Sequence, residues 1–322
     1  MTDRIIRSIA VVGTGVIGAS WTALYLAKGF KVIATDPAPD AEHMLRNFVQ
    51  KAWPALKALG LAPGASLKNL SFNADLAEAL DDVDFVQENG PERIEFKQKL
   101  YAQLDALLPP DVIIASSSSG LPMSQIQVGA TLHPERCIIG HPFNPPHLIP
   151  LVELVAGEKT SKDAIDRADA FYTAIGRRTV RLNKEMPGHV ANRLQGALAR
   201  EVYYLVTEGV VSAADVDIAL SWGPGLRWAL MGNMMLNHLG GGPGGIEHFF
   251  EQFAGPMTHS WKSLGEPDLT PEVQRRLIDS VHEEVGSRSI DELEAERDTL
   301  LLGLLDLRTR YERTSAALAK AA

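Results

Sequence analysis

A chain of 322 residues is longer than a single domain usually runs, so two domains are expected, with volume enough to bury a sizeable core. Its 45% apolar and 22% charged content is that of an ordinary globular protein, and a formal charge of −9 argues against nucleic acid or an anionic membrane as partner. The one cysteine, Cys137, excludes an internal disulfide framework and suits a reducing compartment.

The chain opens on a short charged lead and passes straight into a strand at 9–12. It shows no secretory cleavage pattern and no apolar run long enough to span a bilayer, so a cytoplasmic protein is expected. Gly13-Thr14-Gly15-Val16-Ile17-Gly18 follows the strand, opens an apolar helix through Trp21, Leu24 and Leu26, and is succeeded by a β-branched run at 31–34 that ends in Asp36. This is the βαβ setting of a dinucleotide site. Gly13 permits the tight turn, Gly15 lets the backbone approach a pyrophosphate, and Gly18 lets helix and strand pack closely, while Val16 and Ile17 stand at the helix's positive end. The Asp36 carboxylate suits a ribose 2′-hydroxyl and repels a 2′-phosphate, and Pro37-Ala38-Pro39 supplies no arginine, so NAD is expected over NADP.

A helix is expected over 42–59, then a loop at Gly60, Pro63 and Gly64. A strand at 84–86 leads to a turn from Gln87 to Glu92 and a helix carrying Lys97 and Tyr101. A strand at 112–115 spills into Ser116-Ser117-Ser118-Ser119-Gly120. Such alternation implies a parallel, doubly wound sheet, with ligands beyond the carboxyl ends of its strands. The serine run is a polar loop unless one hydroxyl serves a substrate's reacting oxygen; lacking a GxSxG elbow, it is no hydrolase nucleophile.

The stretch CIIGHPFNPPHLIPLVELV, at 137–155, is the chemical centre of the sequence. Apolar runs at 138–139 and 148–155 flank a proline-broken loop, so His141 is expected to leave one strand and Glu153 to lie inside the next. A carboxylate on one ring nitrogen fixes the tautomer and raises the basicity of the other, which makes the pair a candidate proton acceptor for an alcohol. A helix at 164–176 and a strand at 179–182 close the sheet, and 183–187 reads as a boundary. Beyond it lie a long helix at 188–208, one capped by Ser212, one begun by Thr270-Pro271-Glu272, and a leucine-rich terminal helix opened by the capping box Ser289-Ile290-Asp291-Glu292. The expected architecture is an α/β Rossmann-type domain over 1–186, its doubly wound sheet mostly parallel, followed by an all-α domain over 187–322. The apolar terminal helix needs cover, which a second subunit would supply, so a homodimer through the C-terminal domain is expected. The glycine run at 240–245 reads as a mobile loop, with a flap over the substrate as the alternative.

The sequence resembles the 3-hydroxyacyl-CoA dehydrogenase superfamily over essentially its whole length, through VVGTGVIG, DVDFVQENGPE, SSSSG, HPFNPP with LVELV, and PGHVANR. The resemblance implies that His141 is the general base and Glu153 its partner, and that Ser119 and Asn192 hold the substrate's oxygen. It further implies that Asn144 supports the serine and the nicotinamide side, with Ser119, Glu92 and Lys97 near the cofactor. Gly120 departs from the pattern, since fatty-acyl members usually continue with a second serine. Within the superfamily the chain is similar to the branch that takes small free β-hydroxy acids, in GLRWALMG, IEHFFEQF and SIDELEAERD.

That branch implies NAD-dependent oxidation of a C3 hydroxyl, with L-carnitine as leading substrate. A short-chain 3-hydroxyacyl-CoA, L-gulonate, or a non-enzymatic, crystallin-like NAD-binding role are the alternatives. Coenzyme A phosphates want cations, and the segment 40–75 offers only Arg46, Lys51, Lys57 and Lys68. A quaternary ammonium lacks hydrogen-bond donors and is best held on aromatic faces. Phe143 and Phe253 are candidates, Phe253 sharing a helix face with Phe249, and Gly188, Ala191 and Gly223 leave room. A small-molecule substrate is expected, with no metal, nucleic acid or membrane.

Overall fold

The structure, a computed structural model, describes the backbone of residues 5–321 and the side chains of residues 5–315; most of the charged lead lies outside them. In chain order, β1 (Ser8–Val12), α1 (Val16–Ala27), β2 (Lys31–Thr35), α2 (Ala41–Leu59), β3 (Leu70–Phe72), α3 (Leu76–Ala79) and β4 (Phe85–Glu88) come first. Then follow α4 (Ile94–Leu107), β5 (Ile113–Ser116), α5 (Met123–Ile126), β6 (Cys137–Pro142), β7 (Leu151–Ala156), α6 (Lys162–Ala174) and β8 (Arg178–Arg181). The strands form one sheet in the order β3-β2-β1-β4-β5-β6-β7-β8, and every neighbouring pair is parallel except β6 and β7. This is the doubly wound, mostly parallel sheet expected of the sequence.

Both faces are covered, which is why the strands read as apolar runs rather than as alternations. Ile9, Val11, Phe85 and Ile138 pack on one side with Trp21, Tyr25, Leu45 and Tyr172. Ala10, Val86, Ile114 and Ile139 pack on the other with Tyr101, Leu104, Met123 and Ile126. The strand order reverses between β1 and β4, where loops leave toward opposite faces and open the crevice typical of nucleotide sites.

Two expectations change here. β4 runs on through Gln87 and Glu88, which were expected in a turn, because each buried polar group finds partners: Gln87 Oε1 accepts from Tyr25 at 2.9 Å and Tyr172 at 2.6 Å, and Glu88 meets Lys97. β3 and α3 were not anticipated, since three and four residues are too few to display a period.

Contacts divide the chain into two compact units, one from the N-terminal side through Asn192 with Asp298–Asp306, the other Arg193–Arg297 with the chain from Leu307. After β8 the chain is all helix: α7 (Ala191–Thr207), α8 (Ala213–Trp222), α9 (Pro224–Trp228), α10 (Asn233–Gly240), α11 (Gly245–Trp261), α12 (Pro271–Val285) and α13 (Ile290–Ala321). Its starts are capped where the sequence signalled. Ser212 Oγ accepts from the Asp215 amide at 3.1 Å and Thr270 Oγ1 from Val273 at 3.3 Å. Ser289 and Glu292 exchange a reciprocal pair at 2.7 and 3.2 Å.

The glycine run at 240–245 is a tight corner between α10 and α11, not a loop free to move: a Cβ on Gly241 would lie 1.7 Å from the Gly245 carbonyl oxygen. Of the second unit's apolar side chains, Trp222, Met234, Trp261, Ile290 and Tyr311 are largely exposed. Among the described residues no helix is long and apolar enough to cross a membrane.

Candidate active site

His141 and Glu153 stand directly opposite each other in the antiparallel ladder of β6 and β7. Side chains so paired have Cβ atoms about 5 Å apart, within reach of one hydrogen bond. His141 Nδ1 lies 2.8 Å from Glu153 Oε2, and both residues are buried. His141 is thus the penultimate residue of β6 rather than a residue beyond it. The partner strand begins at Leu151, later than expected, because Pro150 cannot donate to the ladder.

The second carboxylate oxygen of Glu153 is held just as firmly. Oε1 accepts from the amides of Val190 at 2.8 Å and Ala191 at 3.0 Å, at the head of α7. That helix starts at Ala191 and not at residue 188, because Gly188 (φ +74°) and His189 (φ +50°) are left-handed and bring the two amides onto one anion. Burial pushes the Glu153 pKa up, but the His141 hydrogen bond and the Ala191 and Val190 amides outweigh it and hold the carboxyl below its usual range. An ionised carboxylate only accepts, so the His141 proton sits on Nδ1 and Nε2 keeps its lone pair. Nε2 has no hydrogen-bond partner among the described residues.

The serine run divides by use. Ser116 donates to Glu88 Oε2 at 2.6 Å, Ser117 to Asn89 Oδ1 at 2.7 Å and Ser118 to Glu92 Oε1 at 2.7 Å. Ser119 is exposed and its hydroxyl has no partner among the described residues. Glu92 Oε1 also accepts from the amides of Gly120 at 2.8 Å and Leu121 at 3.1 Å. Burial raises the Glu92 pKa, while Ser118, the Gly120 amide, the Lys97 charge and the Leu121 amide together bring it below the ordinary value. Lys97 is fully buried, 2.8 Å from Glu88 and 4.0 Å from Glu92, and donates to the Gly90 carbonyl at 3.2 Å. Glu92 and Lys97 therefore brace the loops that follow β4 and β5. The side chains of Asn144, exposed, and Asn192, half-buried, have no partner among the described residues.

The glycine loop fits a dinucleotide. Gly13 has φ +87°, and a Cβ there would meet the Asn89 carbonyl oxygen at 2.8 Å; on Gly18 it would lie 1.9 Å from the Gly13 oxygen. Around Gly15 nothing lies within 4 Å, so the head of α1 stands open beside Val16 and Ile17. Asp36 directly follows β2, with Oδ2 accepting from the Thr14 amide at 2.7 Å and Oδ1 from the Ala38 amide at 2.9 Å, which fixes the carboxylate beside that loop.

Of the residues expected near substrate, Phe143 is half-buried directly after β6, and Gly188 and Ala191 belong to the segment that grips Glu153. Gly223 and Phe253 belong to the second unit: Gly223 ends α8 close to the Ala219 carbonyl, and the Phe253 ring centroid lies 5.1 Å from that of Phe249. Sequence reasoning missed Glu88 and His189. The only trace of His189 was its place in PGHVANR, between a glycine and a helical pattern.

A family model described as 3-hydroxyacyl-CoA dehydrogenase, NAD binding domain, matches residues 8–186, and one described as 3-hydroxyacyl-CoA dehydrogenase, C-terminal domain, matches residues 188–291. The chain is 46% identical over 316 residues to the L-carnitine dehydrogenase of Nocardiopsis dassonvillei, covering 98% of this chain and 96% of that one. It is 46% identical over 293 residues to the L-carnitine dehydrogenase of Streptomyces coelicolor, covering 91% and 92%. Among solved structures, 5-formyl-3-hydroxy-2-methylpyridine 4-carboxylic acid 5-dehydrogenase, an NAD+ dependent dismutase, is 31% identical with a TM-score of 0.81, over 94% of this chain and 98% of that one.

Proposed function

Because the chain belongs to the 3-hydroxyacyl-CoA dehydrogenase family and is an NAD-dependent oxidoreductase, we propose that it oxidises the C3 hydroxyl of L-carnitine to 3-dehydrocarnitine, with His141 and Glu153 as the base pair. The observation that carries the chemistry is the 2.8 Å bond between His141 Nδ1 and Glu153 Oε2, which leaves Nε2 as the basic nitrogen. The choice of substrate is supported by 46% identity to proteins named L-carnitine dehydrogenase over nearly the full chain.

In this reading His141 Nε2 takes the hydroxyl proton and Glu153 steadies the imidazolium that results. Ser119 and Asn192, whose side chains have no partner among the described residues, hold the reacting oxygen in line. Gly13, Gly15, Val16, Ile17 and Gly18 hold the pyrophosphate, Asp36 the ribose, and Glu92, Lys97, Ser119 and Asn144 form or brace the nicotinamide end. NAD, once bound, supplies the hydride acceptor. The trimethylammonium head lies against a ring face, for which we assign Phe143, while Gly188 and Ala191 leave space. The exposed apolar side chains of the helical unit support a homodimer, readable by light scattering.

NADH production followed side by side with L-carnitine, L-gulonate, 3-hydroxybutyrate and 3-hydroxybutyryl-CoA is expected to give the highest kcat/KM with L-carnitine. Fast turnover of the thioester alone overturns the substrate assignment and leaves the base pair standing.

A further inference from the structure

His189 holds a left-handed backbone and is only 3% exposed. Its Nε2 lies 3.0 Å from the Ser118 carbonyl oxygen, and its ring centroid is 5.0 Å from that of His141. A carbonyl oxygen only accepts, so Nε2 carries the proton and Nδ1 the lone pair. Nδ1 is buried with no partner among the described residues. Burial disfavours the imidazolium and the neighbouring His141 adds to this; the Ser118 bond, Glu153 and Glu92 act the other way, and the balance leaves the His189 pKa below its usual value. The ring is a neutral donor.

Three consecutive residues thus tie the site together. The His189 side chain grips the carbonyl of Ser118, the residue before Ser119, and the amides of Val190 and Ala191 grip Glu153. One short segment therefore sets the spacing between the serine loop and the His141–Glu153 pair. A left-handed non-glycine residue and an orphaned buried nitrogen each cost free energy, and such features persist where the surroundings and the function over-determine them.

We propose that His189 is a positioning residue: a neutral imidazole that holds the serine loop in register with the base pair. The inference rests on the assignment of His141 as the base. Neutrality belongs to the role, because a charge on His189 would stand one ring away from the imidazole that must accept the substrate's proton.

Two substitutions separate this from simple packing. His189→Gln keeps an N–H donor at about the reach of Nε2, whereas His189→Phe keeps a ring and loses the donor. His189→Asn, at ease in the left-handed region but too short for Ser118, controls for backbone strain. His189→Phe and His189→Asn are expected to lower kcat about 10- to 100-fold, as for a displacement of about 1 Å, with NAD affinity within about twofold. His189→Gln should recover kcat to within about fivefold of wild type. In spectra of protein labelled with 15N-histidine, the His189 ring should be neutral and protonated on Nε2 between about pH 7 and 8.

Wild-type kcat in the Phe and Asn variants, failure of a folded, NAD-binding His189→Gln to recover kcat, or an imidazolium at neutral pH overturns the proposal. His141→Ala keeps the two readings apart. Turnover surviving that change removes the base assignment itself, whereas a dead His141→Ala beside an unaffected His189→Phe removes only the role given to His189.

Discussion

Glu153→Gln tests the base pair with the smallest change of shape. Oε1 faces two backbone N–H donors, at 2.8 and 3.0 Å, and Oε2 faces His141 Nδ1 at 2.8 Å. A glutamine must choose which end points where. Turning its NH2 toward the amides of Val190 and Ala191 strands two buried donors, at about 1–3 kcal/mol each. Turning it toward His141 costs far less, because the imidazole can move its proton to Nε2 and accept at Nδ1. The amide oxygen therefore stays on the α7 head and the histidine is locked in the wrong tautomer. Its outward nitrogen then bears a proton and cannot take another from an alcohol. The expected loss in kcat is about 10²–10⁴. Stability falls less: three bonds to a carboxylate weaken to neutral ones, costing about 1–3 kcal/mol, or a melting temperature lower by about 2–10 °C. Steady-state NADH formation measures the first, thermal unfolding the second, and NADH fluorescence checks that cofactor binding survives. A folded, NAD-binding variant with kcat within about threefold of wild type would refute the tautomer argument.

Two glycines should part company. A Gly18→Ala methyl lands 1.9 Å from the Gly13 carbonyl oxygen and should lower the melting temperature, whereas a Gly15→Ala methyl meets nothing within 4 Å and should spare the fold while weakening NAD; unchanged NADH titrations of Gly15→Ala contradict the pyrophosphate placement. Lys97→Met strands the buried Glu88 carboxylate and should cost about 3–5 kcal/mol in urea unfolding, most of it recovered in the double variant with Glu88→Gln; a loss below about 1 kcal/mol contradicts the pairing. Glu153 and Glu92 have folded pKa values below an ordinary glutamate, and His189 below an ordinary histidine. Each makes the unfolded chain bind more protons than the folded one, so each contribution is complete above the unfolded value and lost as pH falls. The urea midpoint should drop below about pH 6.5 and more steeply below about pH 4.3; a midpoint that rises toward acid contradicts these environments.

Legibility in the sequence followed how local each cause was. The glycine loop could be read because each glycine answers a requirement set within a few residues, a turn at Gly13 and a close approach at Gly18. The capped helices were readable likewise, since Ser212, Thr270 and Ser289 bond amides three residues on. Gln87 and Glu88 escaped because their partners, Tyr25, Tyr172 and Lys97, come from other elements. Val190, Leu194 and Leu198 keep helical step back to the glycine, so the pattern hid the left-handed pair before Ala191. The glycine run misled for a related reason: composition suggested freedom, whereas the close approach at Gly241 needs glycine for contact. Which of four serines keeps a hydroxyl without a partner among the described residues depended on Glu88 at the end of β4 and on Asn89 and Glu92 in the loop after it.

The reversal of β7 explains why His141 and Glu153 are better placed than their neighbours. In a parallel pair successive strands require a long crossover, and side chains at their carboxyl ends are presented by separate loops. Here the chain turns back through residues 143–150, and the ladder sets His141 against Glu153 in register. Slippage by one residue would send one of the two side chains to the opposite face, so any force that keeps Val152 and Leu154 buried also keeps the pair aligned. The α7 head then closes the arrangement from the other side, fixing the carboxylate oxygen that the histidine leaves free. Phe143 lies outside the regular elements, so on the proposed reading a substitution there changes what is bound without moving His141 Nε2. Selectivity should therefore be separable from proton transfer by mutation. Loop changes should move KM between carnitine and other hydroxy acids, while changes to Glu153 should lower kcat for all of them alike.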